Sequence, residues 1–210
     1  MMQKEIYWSR FASDFEERNN YVVGKKDMNL ILNKISEQKN LKNTLELGCG
    51  NGTYSKALAL NAYKLLATDF SDEMVEASKI RLKSSANIEV EKANCFDLPY
   101  DDYSFDTVFL ANLLHIVPEP ERVIPQLYRV LKKEGKVIII SFTVEGMTFI
   151  NKLRMFYRYL KTYGKPSPYA QTLYLKNVEN MLVEQGFEIK RSELLGKRMK
   201  AIFLIAVKRA

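Results

Sequence analysis

Histidine, cysteine and tryptophan are nearly missing from this 210-residue chain, which holds one His, two Cys and one Trp. Cys49 and Cys95 are too few for a disulfide framework and have no metal-ligand partners at a usable spacing, so no metal is expected. No run approaches the roughly 18 uninterrupted apolar residues of a membrane span. The opening Met-Met-Gln-Lys-Glu-Ile-Tyr-Trp-Ser-Arg has no apolar signal core. A reduced, cytoplasmic protein without a membrane span is therefore expected. Internal repeats and low-complexity segments are absent too, and the length suits one domain with a sizeable core.

Charge is present but uneven. Residues 150–210 carry 13 Lys/Arg against 4 Asp/Glu, a balance of +9, so the first 149 residues hold −2 of the total +7. A basic last third can attract nucleic acid, an anionic substrate or a membrane surface, but its cations are dispersed, and dispersed charge also serves solubility.

Glycine is sparse, yet three of the nine glycines fall at alternate positions in Thr44-Leu-Glu-Leu-Gly-Cys-Gly-Asn-Gly-Thr53. A residue without Cβ lets the backbone turn sharply and approach a ligand closely. An apolar run ends at Glu46, the glycines Gly48, Gly50 and Gly52 follow, a helical segment spans residues 54–60, and a second apolar run delivers Asp69. Strand, glycine turn, helix, strand and acid form the arrangement that binds a nucleoside at the carboxyl ends of parallel strands.

Periodicity extends the pattern. Two helical segments are expected over residues 4–37, broken around Asn19-Asn20 and Gly24, with Met28, Ile31, Leu32 and Ile35 on one face. Ser71 or Asp72 caps a helix running to about Leu82, and strands are expected at 87–91 and 105–110. Pro118 and Glu119 open a helix that ends near Lys132-Lys133, where Gly135 terminates it. Residues 136–142 contain Val-Ile-Ile-Ile, the continuous apolar run of a buried parallel strand. The order β-α-β-α-β-loop-β-α-β predicts a doubly wound α/β sheet. Beyond an aromatic-rich helical segment at 147–163 and a short helix at 176–185 lie two strands, 187–194 and 201–207. Their six-residue connection is too short for a parallel crossover, so these strands should pair antiparallel.

Four segments in order carry a family resemblance. Glu46-Leu-Gly-Cys-Gly-Asn-Gly52, Ala67-Thr-Asp-Phe-Ser-Asp-Glu-Met-Val-Glu-Ala-Ser-Lys79, Leu98-Pro-Tyr-Asp-Asp-Tyr-Ser-Phe-Asp-Thr-Val108 and Leu127-Tyr-Arg-Val-Leu-Lys-Lys-Glu-Gly-Lys136 resemble the motifs of the class I S-adenosylmethionine-dependent methyltransferases, small-molecule branch. The resemblance covers roughly residues 40–142. It implies a Rossmann-like seven-stranded sheet, mostly parallel with an antiparallel terminal strand. It also implies one domain over 1–210: an N-terminal helical cap (1–40), a cofactor-binding core (41–142), a substrate-side insert (143–175), and a terminal helix and hairpin (176–210).

The implied cofactor, S-adenosyl-L-methionine, carries ribose hydroxyls that a carboxylate at Asp69, beside Phe70, can accept in bidentate fashion. Its sulfonium and ammonium are cationic, which suits Glu46. By resemblance, the backbone of Gly48, Cys49 and Gly50, with Gly52 closing the turn, lies against the methionine part. Asn94 and Cys95 then sit beside the adenine, and Ala111 and Asn112 face the reactive methyl. Asn94 stands where the family usually has aspartate; an amide oxygen accepts less strongly, implying weaker affinity. His115, five residues past the fourth strand, is a candidate base or substrate contact, with a purely structural histidine as the alternative.

The expected function is metal-independent methyl transfer to a small-molecule acceptor by a monomer or homodimer. The alternatives are an RNA methyltransferase and a non-catalytic S-adenosylmethionine-binding protein. Against RNA, Asn112-Leu-Leu-His115 lacks the prolines that shape a slot for a flipped base, and no dense arginine stripe is present. Tyr157 and Lys161, with Ser141 upstream, reproduce a short-chain dehydrogenase spacing, but the glycine turn does not match that family and the coincidence is read as chance. Aromatic residues of the N-terminal segment (Tyr7, Trp8, Phe11, Phe15, Tyr21) and of the insert (Phe149, Phe156, Tyr157, Tyr159, Tyr163, Tyr169, Tyr174) point to an apolar or ring-bearing acceptor, and Arg154 and Arg158 leave open an anionic one. The competing reading packs these aromatics onto the sheet or into a dimer contact.

Overall fold

In a computed structural model the chain forms an α/β sheet flanked by helices on both faces; residues 7–209 are described. The helical expectation for residues 4–6 lies outside them. Helices α1 (Phe15–Val23) and α2 (Lys25–Ser36) precede β1 (Lys42–Leu47), α3 (Ser55–Ala59), β2 (Ala62–Asp69), α4 (Asp72–Leu82), β3 (Ile88–Lys92) and β4 (Phe105–Ala111). A 3-10 turn (Pro120–Arg122), α5 (Val123–Val130), β5 (Leu131–Thr143), α6 (Phe149–Tyr163), α7 (Leu175–Glu184), β6 (Phe187–Leu195) and β7 (Lys200–Lys208) complete it.

The seven strands lie in the order β3-β2-β1-β4-β5-β7-β6. β1 pairs parallel with β2 and with β4, β2 with β3, and β4 with β5. β7 runs antiparallel to both β5 and β6, so the reversed strand is wedged inside the sheet. Strand order changes direction between β1 and β4, and the crevice at the carboxyl ends of such a pair is where α/β sheets bind ligands.

Alternation divides the core. Leu45, Val108, Leu110, Val137 and Ile139 face α5 and α7, packing with Leu127 and Val178. Phe109, Ile138, Ile140 and Phe203 face the other way, against Met28, Ile31 and Ile35 of α2 and Leu58. Both faces are covered, which is why these strands read as unbroken apolar runs. A third cluster joins Phe11, Val22 and Tyr163 with Tyr7, Trp8, Phe15 and Tyr159, tying the N-terminal segment to α6.

Two boundaries differ from expectation. α1 runs straight through Asn19-Asn20; it is separated from a short helical stretch at 7–9 by a turn at 10–14, and from α2 by Gly24, whose φ of 95° takes the chain out of helix. The helix expected to run from Pro118 to Lys132-Lys133 is instead α5, and β5 begins at once after it. Gly135 does not cap a helix: it lies inside β5, where a Cβ would stand 2.8 Å from the Lys132 carbonyl oxygen. The need there is close backbone approach.

Candidate active site at the switch point

The glycine turn leaves β1 with Gly48, Gly50 and Gly52 all at positive φ (72°, 56° and 79°). Its shape is fixed from β2 and α4. The Cys49 amide donates to the Thr68 carbonyl (2.9 Å), the Gly50 amide to Asp69 Oδ2 (2.9 Å), and the Ser78 hydroxyl to the Gly50 carbonyl (2.7 Å). Asp69 Oδ1 also accepts the Ser71 amide at 3.0 Å, so Asp69 braces the turn as well as facing the crevice. Burial raises its pKa against the pull of these backbone donors.

Glu46 lies behind the turn, fully buried. Oε2 accepts from the Ser55 hydroxyl at 2.6 Å, while Oε1 has no partner. Desolvation pushes its carboxyl up to about 7, and the nearby Asp69 charge adds to the shift. The Cys49 thiol is likewise pushed up by burial, which leaves it unreactive.

After β4 the chain turns at Asn112, a non-glycine residue at φ 57°. Its amide Nδ2 donates to the Tyr54 hydroxyl (3.1 Å), Oδ1 accepts the Phe142 amide (3.0 Å), and its own N–H reaches the Ile140 carbonyl (2.8 Å). These bonds hold the left-handed turn and clamp β4 to β5. His115 follows on this loop, with Nδ1 at 3.0 Å from the buried Ser141 hydroxyl. Desolvation lowers its pKa to about 4, so the ring is a neutral imidazole at neutral pH.

These segments wall one cavity of about 920 Å³. Of the expected site residues, Gly48, Cys49, Gly50, Asp69, Phe70, Asn94, Cys95, Ala111, Asn112 and His115 line it, whereas Glu46 and Gly52 do not. Gly52 faces α4, where a Cβ would stand 2.9 Å from the Leu82 side chain. Asn94 Oδ1 already accepts the Phe96 amide at 3.1 Å, so the amide expected to meet adenine also shapes its own loop.

The aromatic flanks divide between wall and packing. Tyr7, Trp8, Phe15, Phe156, Tyr159, Tyr163 and Tyr169 line the cavity. Phe11, Tyr21, Phe149, Tyr157 and Tyr174 do not. Neither Arg154 nor Arg158 reaches the cavity wall, and Arg158 donates to the Tyr21 carbonyl and stacks on its ring. The arginine at the wall is Arg122, which holds Glu119 at 2.9 Å and lies over the Phe96 ring. Sequence reasoning missed Tyr54, recognised only through its distant partner Asn112, and met Ser141 only in the dehydrogenase-like spacing, not as the partner of His115.

A seven-stranded sheet of this order, with a glycine turn after β1 and an acid ending β2, is the architecture of the class I S-adenosylmethionine-dependent methyltransferases, and the chain resembles that family. Residues 45–139 match the family described as a methyltransferase domain. A demethylmenaquinone methyltransferase of Clavibacter sepedonicus is 37% identical over 108 residues, 51% of this chain and 44% of that protein. The chain spans about half the length of the first such curated relatives it matches, 44–54%. An uncharacterized protein of Methanocaldococcus jannaschii is 26% identical over 204 residues, 96% of this chain and 91% of that one. A solved S-adenosylmethionine-dependent methyltransferase from Aquifex aeolicus shares the fold, with TM-score 0.68, 21% identity and coverage of 95% and 97% of the two chains.

Proposed function

We propose that the protein transfers a methyl group from S-adenosylmethionine to an apolar, ring-bearing small molecule, with no metal taking part. The observation that carries this reading is the continuity of the cavity: one space runs from the glycine turn and Asp69 to the aromatic wall of the N-terminal segment and α6. Its volume is near the upper end of the ~300–1,000 Å³ usual for ligand pockets, room for a cofactor and an acceptor together.

The residues present fit the cofactor. Gly48 and Gly50 offer a backbone cradle without Cβ. Asp69 accepts one backbone donor per oxygen, and a carboxylate oxygen has a second lone-pair site free for a ribose hydroxyl. Glu46, buried just behind the turn, adds negative potential near a bound cation once it ionises, above about pH 7. Gly48, Gly50, Asp69, Phe70, Asn94 and Cys95 would hold the cofactor. When bound, S-adenosylmethionine supplies a methyl group already activated on a sulfonium.

What remains for the chain is orientation and exclusion of water, which can lower the barrier by up to ~7–11 kcal/mol. The Ala111–Asn112 turn fixes one side of the acceptor space through its clamp to β5, and the aromatic wall keeps water from the other. His115 touches the acceptor as a neutral hydrogen-bonding group, oriented by Ser141. The methyltransferases named for demethylmenaquinone, ubiquinone and menaquinone biosynthesis support a ring-bearing acceptor. With Arg154 and Arg158 off the wall, an anionic acceptor has less support.

Incubating the protein with S-adenosylmethionine and a panel of quinols, phenols and amines, with S-adenosylhomocysteine as readout, tests this reading. Turnover on a ring-bearing apolar acceptor is expected; turnover confined to RNA or to small amines, or none, overturns it. His115→Ala should lower turnover severalfold and leave cofactor affinity unchanged. Because its folded pKa of about 4 lies below the usual 6.5, the wild-type rate should show no limb near 6.5 that this substitution removes. A pH–rate profile with such a limb would assign the imidazole a titrating role instead.

A further inference from the structure

The inner face of α6 serves the cavity, yet its outer face is apolar and bare. Phe149, Ile150, Leu153, Phe156, Tyr157 and Leu160 are 74%, 68%, 54%, 52%, 65% and 40% exposed. At 100° per residue these six positions fall within about 120° of arc, a single stripe over three turns. Elsewhere among the described residues, exposed large apolar side chains such as Leu60, Tyr63 and Ile80 belong to other elements, the ordinary scatter of a protein surface. The stripe reaches the order of the largest apolar patch on a typical monomer, about 300–600 Å², and patches of that size are commonly functional.

The charge around the stripe is of one sign. α6 contains Lys152, Arg154, Arg158 and Lys161, with Lys165 just beyond its end, and no Asp or Glu. Lys152 borders one edge of the stripe; Arg154 and Lys161 border the other. A bare apolar stripe bordered by cations on an amphipathic helix is the pattern that lies in the plane of an anionic bilayer. Nucleic acid would meet the cations but gain nothing from Ile150, Leu153 and Leu160. No helix among the described residues is long and apolar enough to span a membrane, so contact would be through the interface.

We propose that the outer face of α6 docks the protein on an anionic lipid surface, with the cavity wall formed by the inner face of the same helix held beside the bilayer. Met155, Tyr159 and Tyr163 of α6 line the cavity and Phe156, at the edge of the stripe, borders both faces, so docking brings the cavity wall next to the phase in which an apolar acceptor dissolves.

The test uses the full chain, without cofactor, in sedimentation with sucrose-loaded vesicles of phosphatidylcholine alone or mixed with phosphatidylglycerol. Binding to the mixed vesicles is expected to exceed binding to the neutral ones, and to fall as salt rises from about 0.1 M to about 0.5 M. The triple variant Phe149→Ser, Ile150→Ser and Leu153→Ser alters only exposed side chains. It should keep the wild-type circular dichroism and thermal midpoint while losing at least tenfold in partitioning. Arg154→Glu should weaken binding to the anionic vesicles alone. Equal partitioning of wild type and triple variant, or wild-type protein that stays in the supernatant with both vesicles, overturns the proposal. So does wild-type protein that sediments as a dimer without binding vesicles, if the triple variant is monomeric, because the face is then an interface between copies. Binding to RNA but not to vesicles overturns it too. The readout is partitioning, so its failure is separate from a failure of methyl transfer.

Discussion

Asp69→Ala should weaken S-adenosylmethionine binding at least tenfold, measured by isothermal titration of the folded variant. Two effects act in the same direction. The substitution removes the carboxylate that offers free lone pairs to the ribose hydroxyls, and each charge-assisted hydrogen bond contributes about 1.5–3 kcal/mol. It also frees the Gly50 and Ser71 amides, which Asp69 holds at 2.9 and 3.0 Å, so the cradle loses its brace. A loss of tenfold corresponds to about 1.4 kcal/mol. Asp69→Asn separates the effects, because one amide oxygen can still accept a backbone N–H while the ability to take two hydroxyl donors is gone. Unchanged affinity in both variants would remove Asp69 from the site.

The second large effect is on stability. Glu46 in the folded protein holds its proton to about pH 7, against an ordinary carboxyl value of 4.5, mainly because burial penalises the charge. A folded pKa above the unfolded one means that its stabilising contribution is complete below the unfolded value and lost as pH rises through the folded value. The interval from 4.5 to about 7 corresponds to about 3 kcal/mol. Glu46→Gln carries no charge and should not show this loss, although its new amide replaces an oxygen that has no partner. Relative to wild type, Glu46→Gln should gain about 2–3 kcal/mol in urea unfolding between about pH 5 and about pH 8. Parallel pH dependence of the two proteins would show that Glu46 ionises normally inside the fold.

The parts of this molecule legible in the sequence are those that local rules dictate. Gly48, Gly50 and Gly52, at alternate positions after an apolar run, mark a turn at positive φ, and Val-Ile-Ile-Ile in β5 reads as a strand covered on both faces. The short link between β6 and β7 required an antiparallel pair. What was not legible depends on partners distant in the chain. Lys132, Lys133 and Glu134 look like a helix end, yet they form an irregular stretch inside β5, between the pairings of Leu131 and Lys136 with β4. Asn112 appears as a candidate at the methyl group, but its amide goes to Tyr54 and to the Phe142 backbone. His115 reads as a group titrating near neutrality until burial beside Ser141 depresses it. In α6, Phe149 and Tyr159 are both aromatic, and only the cap packed against one side of the helix decides that Tyr159 faces inward. Composition names the aromatic residues; the direction of each is a tertiary matter.

The position of β7 has a consequence for how the chain is made. The strand that inserts between β5 and β6 follows both of them in sequence, so during synthesis the long, apolar β5 keeps an unpaired edge until residues 200–208 have left the ribosome. Its arrival is then secured by Lys208, whose ammonium donates to the Tyr128 and Leu131 carbonyls and lies 4.1 Å from the Tyr103 ring centre. Nascent chains halted before this strand would expose Val137–Ile140 along an open edge, a template for aggregation that the finished protein conceals.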